Sequence, residues 1–189
     1  MGTRTLLDIA DVIIGSSPDR SMPRDAVPFI QIKDLDPFKR SLIVGERPSE
    51  KRAVATKSGD VLLAARGGQA VVAGKGAGEG LIGAYPTLDV YLIRPDAVRL
   101  DSAYLAAWLT FEPVRNRLQA STTGALIPRI PIVSLKELPI PLPTLERQHV
   151  IGELFRLAHQ ETALLERLVA QTRHLRDRQL AAAFASLEQ

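Results

Sequence analysis

The sequence predicts an α+β protein: a mixed, mainly antiparallel β body with short helices, followed by one long C-terminal coiled-coil helix. Three observations carry this expectation. Up to Pro143, Gly and Pro cut the chain into short apolar runs of strand length. From Leu145 to Ser186 there is no proline, and the only glycine is Gly152. Between the two lies Ile140-Pro141-Leu142-Pro143-Thr144-Leu145-Glu146-Arg147-Gln148. This is a short, stiff hinge whose prolines fix backbone angles and deny helix to the residues before them. The expected division is a body over 1–143 and a helical arm over 144–189.

The totals bound the function. With 189 residues and 46% hydrophobic content, the chain can form one ordinary domain plus an appendage. It has no cysteine, which removes disulfides, thiolate chemistry and Cys-ligated zinc. Asp8 and Asp11 interrupt the N-terminal apolar residues, so no signal-type run is expected. No stretch reaches the roughly 20 apolar residues of a membrane span, and a cytoplasmic protein is expected. Formal net charge is only +3. Beyond Thr144 acids and arginines balance, so the excess positive charge belongs to the body. There Arg20, Arg24, Lys33, Lys39, Arg40, Lys51, Arg52, Lys57, Arg66 and Lys75 form either a basic face or an ordinary solvated surface.

Taken in order, Thr5 to Gly15 has helical spacing, with Leu6, Ile9, Ala10 and Ile13 on one face, Thr5 as cap and Gly15 as stop. Val27 to Lys33 alternates like a strand, and Pro28 places it at an edge or at its own start. Asp34 to Pro37 turns the chain, and Leu42-Ile43-Val44 is a short strand. Lys57-Ser58-Gly59-Asp60 is a tight turn leading into Val61 to Ala65, a buried strand. After Arg66-Gly67-Gly68-Gln69, Ala70 to Ala73 returns as its hairpin partner. Gly74 to Gly80 is the most flexible segment by composition. Leu81-Ile82-Gly83 and Thr87 to Ile93 supply further strands. Asp101 or Ser102 caps a helix through Tyr104, Leu105, Trp108 and Leu109. That spacing makes Tyr104 and Trp108 core residues. Pro113 suits the first turn of a second helix with Val114 and Leu118 inside. Ser121 to Gly124 is a loop, Leu126 to Val133 is extended, and Ser134 to Glu137 has capping-box spacing.

Beyond the hinge, Ile151, Leu154, Ala158, Glu161, Leu165, Leu168, Thr172, Leu175, Gln179 and Ala182 follow alternating spacings of three and four. That is a heptad seam. At 1.5 Å per residue the helix is about 60 Å long. A helix of this length cannot bury its seam on one small body, so a second chain is expected to cover it. Polar Glu161, Thr172 and Gln179 on the seam set register or partner choice.

Catalysis finds no support. Gly78-Glu79-Gly80-Leu81-Ile82-Gly83 has the glycine spacing of a dinucleotide loop, but Ala84-Tyr85-Pro86 follows where a helix must open. Gly74-Lys75 precedes Gly76 where a phosphate loop needs Ser or Thr. His149, His159 and His174 all lie on the long helix, none four residues from another, so neither a metal site nor a Ser–His pair within the body is expected. No lysine has an acid two positions before it, and no Asn-Pro-Pro or Asp-Pro-Pro occurs. The elements of many nucleases and amino-methyltransferases are therefore missing. Catalytic residues, metal and cofactor are all expected to be none.

The order of elements resembles half of a DNA-specificity (S) subunit of type I restriction–modification systems. The residues that carry the resemblance are Leu6-Leu7-Asp8-Ile9-Ala10 with Gly15-Ser16-Ser17-Pro18, then Val27-Pro28-Phe29-Ile30 with Asp34. Gly59-Asp60-Val61-Leu62-Leu63-Ala64-Ala65-Arg66-Gly67 follows, then Thr123-Gly124-Ala125, and finally Leu138-Pro139-Ile140-Pro141-Leu142-Pro143 with Gln148 opening the helix. The resemblance implies a target-recognition domain over 1–143 and a coiled-coil dimerisation and spacer helix over 144–189, without catalysis. It implies double-stranded DNA, methyltransferase subunits and in some systems a restriction/translocase subunit as partners. Family members usually carry two such domains and two antiparallel helices. One of each implies a homodimer, or pairing with a paralogous half-subunit, that reads a bipartite site. Glu146-Arg147-Gln148 stands where the family often has adjacent Glu-Gln, which touches the expected docking contacts.

Residue chemistry names the candidate DNA contacts. Arg66 and Gln69 flank the Gly67-Gly68 tip, where backbone can approach DNA closely; Arg suits guanine and Gln adenine. Lys75 suits phosphate. Ser16, Ser17 and Arg20 form a second loop, Arg129 beside Thr122-Thr123 a third, and Lys33 is a further cation. The expected dimer contacts are Ile151, Leu154, Ala158, Leu165, Leu168, Thr172 and Leu175. Two rivals stay open: a protein-interaction adaptor that oligomerises through the helix, and a small enzyme using the Gly-rich loop on a nucleotide.

Overall fold

The computed structural model describes residues 2–19, 21, 23–49, 53–120 and 129–185. The chain divides into two compact units, Met1–Glu153 and Leu154–Gln189. Among the described residues the elements run β1 (Gly2–Thr5), β2 (Ala10–Ile14), β3 (Ala26–Ile30), β4 (Ile43–Glu46), β5 (Val61–Ala64), β6 (Ala70–Val72), β7 (Tyr85–Pro86) and β8 (Val90–Pro95). They continue with α1 (Ser102–Thr110), α2 (Glu112–Ala120), α3 (Ile132–Lys136), β9 (Pro139–Leu142) and α4 (Leu145–Ala185). This is the expected α+β architecture, with nearly all strand pairs antiparallel.

The central sheet has the order β2-β8-β5-β6, all antiparallel. Every residue of β5 is buried, as its unbroken apolar run requires. Leu62, Val71, Leu92, Ile30, Leu35 and Leu81 form the main core cluster. Each fully buried side chain of this kind stabilises the fold by about 1.5–3 kcal/mol. A second sheet, β4-β3-β7, carries its own cluster of Val27, Phe29, Ala53 and Tyr85. Asp60 is 2% exposed, and Arg94 neutralises it through a two-pronged contact at 2.8 and 2.7 Å. That pairing raises the Arg94 guanidinium above its usual range.

Several local expectations are corrected. Thr5 to Gly15 is not a helix. Leu6–Asp8 is a 3-10 turn, and Ala10–Ile14 is a strand paired with β8. The apolar positions are inside as expected, but Val12-Ile13-Ile14 is β-branched and gains a ladder with β8 that a short helix lacks. The capping chemistry survives: Thr5 and Asp8 form a capping box around the 3-10 turn, and the bonds from Thr5 lower the Asp8 pKa. Gly15 is required by crowding, since a Cβ there would stand 2.2 Å from the carbonyl oxygens of Pro86 and Thr87. β3 ends at Ile30, with a 3-10 turn over Ile32–Leu35. Pro28 lies within this central strand, but β7 pairs only with Phe29 and Ile30, so at Pro28 one flank is unpaired.

Leu81-Ile82-Gly83 is a turn, with Leu81 buried and Gly83 at φ +81°. β8 starts at Val90 and runs to Pro95, later than the pattern indicated. α3 starts at Ile132 behind Pro131, so Ser134 is not its cap. Gly74 to Gly80 is a run of hydrogen-bonded turns, with Gly74 N–H donating to the Gly78 carbonyl at 3.0 Å. Arg40 clamps it by donating to the carbonyls of Ala77 and Glu79 and, at 2.9 Å, of Asp34.

The proline-rich hinge is itself a strand. β9 pairs with β1 in register Arg4↔Ile140 and Thr3↔Pro141. Pro139 and Pro141 are two apart, so their carbonyls leave the same side of the strand. Trp108 Nε1 donates to the Pro139 carbonyl at 3.2 Å and Tyr104 Oη to the Pro141 carbonyl at 2.7 Å. The proline side therefore meets α1, where no N–H is needed, and Ile140 and Leu142 face β1. Asp101 caps α1 through Tyr104 N–H at 2.8 Å. Val114 and Leu118 are the buried residues of α2, as the pattern predicts.

Thr144 precedes α4, its carbonyl taking Gln148 N–H at 3.0 Å. The opening turns belong to the first unit. Gln148 is 1% exposed, and Gly152 is buried. A Cβ on Gly152 would lie 2.8 Å from Ala103 Cβ and 2.9 Å from Tyr104 N. Gly152→Ala is therefore expected to cost about 1–3 kcal/mol, despite the better helix propensity of Ala; thermal unfolding measures it. In the second unit α4 exposes Leu154 (69%), Leu165 (56%), Leu168 (59%) and Leu175 (57%). Phe155 and His159 stack edge to face at 4.2 Å. No described helix is long and apolar enough to cross a membrane.

Candidate nucleic-acid interface

Strand direction decides which predicted contacts share a surface. Ile14 stands opposite Tyr91, Ala64 opposite Val90 and Leu63 opposite Ala70. One end of the central sheet thus gathers the segment after β2, the segment before β8 and the β5–β6 turn. These carry Ser16-Ser17, Thr87-Leu88-Asp89 and Arg66-Gly67-Gly68-Gln69. Arg129 joins them, because Arg66 and Arg129 form an isolated antiparallel bridge. Ile130 N–H donates to the Ala65 carbonyl at 2.8 Å, and Ala65 N–H to the Asp89 carbonyl at 2.8 Å. Three distant segments are therefore knitted by backbone beneath the two arginines.

The charges above this lattice are paired. Arg129 Nη1 donates to Asp89 Oδ1 at 2.6 Å, and Arg66 Nε approaches the same oxygen at 3.7 Å. Arg129 also donates to the Leu88 carbonyl and lies 5.5 Å from the centroid of the Tyr91 ring. Tyr91 is fixed in turn by its hydroxyl, which donates to the Ile130 carbonyl at 2.6 Å. Arg66, Gly67 and Gln69 are exposed at the tip. Gly67 and Gly68 have φ of +79° and +70°, a conformation that favours glycine. Gly67 has open space on its Cβ side, whereas Gly68 is buried against Arg115, whose Cγ lies 2.9 Å from a Cβ built there.

Other predicted contacts go elsewhere. Lys75 is exposed, but it follows β6 at the opposite end of the hairpin, where Val61 faces Val72. Lys33 is exposed on the 3-10 turn after β3. Ser17 is exposed, while Ser16 Oγ is buried and has no hydrogen-bond partner among the described residues. Arg20, Thr122 and Thr123 lie outside the described residues. Tyr104 is buried beside α1's neighbours, in keeping with a core role.

Two participants were missed in the sequence. Asp89 looks like an ordinary turn acid until Arg129 is brought to it from 40 positions away. Arg115 is set beside the tip because Val114 and Leu118 anchor the inner face of α2. The available signal was the adjoining i, i+4 pair Arg115 and Gln119 on that helix. No group of three or more potential metal-ligating side chains occurs among the described residues.

No family model matches the sequence, and no curated protein matches it. Solved structures do match. A chain from a study of complex assembly and conformational transition in the type I restriction–modification system aligns with TM-score 0.63 and 24% identity, over 90% of this chain and 41% of that one. The HsdS subunit from Thermoanaerobacter tengcongensis aligns with TM-score 0.62 and 23% identity, over 88% and 39%. The type I restriction–modification S subunit from M. genitalium aligns with TM-score 0.60 and 18% identity, over 94% and 44%. The chain spans about two fifths of the length of the structures it matches. Over that span, the chain has the fold of type I restriction–modification S subunits.

Proposed function

We propose that this chain is a non-catalytic DNA-specificity subunit that directs a type I restriction–modification methyltransferase, and a nuclease where one is present, to a bipartite site. Each copy reads one half-site. The observation that carries this is the fold match over 90% of the chain. The exposed Arg66-Gly67 tip on a rigid sheet end supports it, because base reading needs polar side chains on a scaffolded turn. Arg66, Gly67 and Gln69, with Ser17 beside them, are the proposed base-side surface. Lys75, and Lys33 with it, act at a distance from that tip as phosphate contacts.

The exposed seam of α4 is the proposed dimer contact. Its charge is asymmetric: Glu146, Glu153, Glu161 and Glu166 outweigh Arg147 and Arg156 in the first half. In the second half Arg167, Arg173, Arg176 and Arg178 outweigh Asp177. Antiparallel pairing of two copies sets each acidic half against a basic half. Val150, Leu157 and Leu164 add a second exposed apolar row beside the seam, suited to a methyltransferase subunit.

The test is selection of duplexes from a random pool by the whole protein, alongside mapping of methylated motifs in cells that carry it. A homodimer is expected to yield a bipartite motif with inverted-repeat halves; an asymmetric motif removes the homodimer and leaves pairing with a paralogue. Arg66→Ala is expected to relax base choice by about 5- to 150-fold at one position. Lys75→Ala is expected to weaken all duplexes alike and to reduce the salt slope by about one.

A further inference from the structure

We infer that Asp89 is the positioning residue for Arg66, holding its guanidinium side-on so that the two terminal nitrogens point outward as a fork for one base. This rests on the proposal that this end of the sheet meets DNA.

The chemistry of a free surface arginine argues for such a device. An unpaired Arg on a glycine turn samples many rotamers, and ordering it on binding costs affinity. Here Asp89 Oδ1 lies 3.7 Å from Nε of Arg66, an ion-pair contact on the Nε edge that is longer than a hydrogen bond. That edge is one of the two ways a guanidinium can grip a base. Occupying it leaves Nη1 and Nη2 for end-on, two-pronged contact with guanine O6 and N7.

Asp89 is itself held. Arg129 grips the same oxygen at 2.6 Å, is tethered by the Leu88 carbonyl, and lies over Tyr91 at 5.5 Å. The Tyr91 hydroxyl is anchored on Ile130 at 2.6 Å. Arg129 is thus committed to the fold, and of the two arginines Arg66 is the reader. The arrangement also explains a carboxylate on a surface proposed to meet DNA. Asp89 repels phosphate, so beside Arg66 it disfavours non-specific contact at the tip.

The test uses the full chain with two probes: a duplex selected from a random pool by the wild-type protein, and a scrambled duplex of equal length. Asp89→Asn is expected to cut the preference for the selected duplex by about 10-fold or more. Affinity for the scrambled duplex is expected to stay level or rise about 2- to 5-fold at low salt. Asp89→Glu, which keeps the charge, is expected to restore part of the preference. In an Arg66→Ala background, Asp89→Asn is expected to change the preference by less than about 2-fold, because its effect passes through Arg66. Preference that is unmoved by Asp89→Asn, or that falls as far without Arg66 as with it, overturns the inference. If Asp89→Asn fails to fold, Arg66→Lys is the deciding variant: it keeps the charge without the fork and is expected to lose the same preference. Retained preference in Arg66→Lys then overturns the inference. A wild-type protein that selects no sequence at all overturns the underlying proposal as well, which separates the two failures.

Discussion

Replacing Gln148 with Ala is expected to destabilise the first unit by about 2–4 kcal/mol. For a unit of this size, that lowers the unfolding temperature by about 4–16 °C. The side chain is buried and makes three bonds. Its Oε1 accepts from Asp101 N–H at 2.9 Å, and its Nε2 donates to the carbonyls of Arg99 at 3.1 Å and Pro143 at 3.0 Å. These groups belong to the cap of α1 and the exit from β9, so one amide ties both to the first turn of α4. Truncation strands a backbone N–H away from water and leaves a void.

Gln148→Leu separates the two costs, since it fills space and removes only the bonds. It is expected to lie close to the Ala variant if hydrogen bonding dominates. Gln148→Glu keeps the acceptor but turns a negative oxygen toward two carbonyls. Its carboxyl is disfavoured as an anion, so its folded-state pKa is raised. The variant is then expected to be weakest near neutral pH and to recover as pH falls toward 5, when the protonated carboxyl donates again. Thermal unfolding at pH 5 and 7.5 measures this; equal stability of all variants and wild type would remove Gln148 from its structural role.

Putting Glu at both Leu165 and Leu168 is expected to raise the dissociation constant of the proposed dimer at least 100-fold, leaving monomer at micromolar concentration. These leucines are 56% and 59% exposed in the single chain. Burying each on association contributes about 1.5–3 kcal/mol per copy, against about 1.4 kcal/mol per tenfold in affinity. Sedimentation equilibrium gives the answer directly. A second variant ends the chain at Glu153. It retains Gln148 and Gly152, which belong to the first unit, and is expected to unfold near the temperature of the intact first unit while staying monomeric. If both variants remain dimeric, α4 is not the interface.

Much of this architecture was legible without coordinates. The buried strand Val61–Ala64, its hairpin partner, the Asp101 cap, the α2 anchors and the start of α4 behind Thr144 all follow from local rules. Each depends on chemistry within a few residues: an apolar run, a glycine turn, a side chain reaching N3. The misjudged segments depended on partners far away in sequence. Thr5 to Gly15 has apolar positions that fit either period, and only the ladder to β8 made it a strand. Leu81-Ile82-Gly83 is apolar, but its backbone bonds are spent on Thr56 and Gly78.

The interface divides in the same way. The amino-acid order by itself placed a glycine tip between Arg66 and Gln69, and it left a long helix whose apolar seam needs a partner. The hairpin it predicts also sends Lys75 to the end away from that tip, because a returning strand finishes opposite its turn. It could not pair Asp89 with Arg66 and Arg129, because salt bridges across 23 and 40 positions leave no local trace. The proline-rich stretch before α4 was visible as stiff. Only the tertiary structure made it a strand, by supplying β1 on one side and the Tyr104 and Trp108 donors on the other. Short-range sterics and capping are written in neighbouring residues, whereas pairing energy appears only when the chain brings distant groups within hydrogen-bond reach.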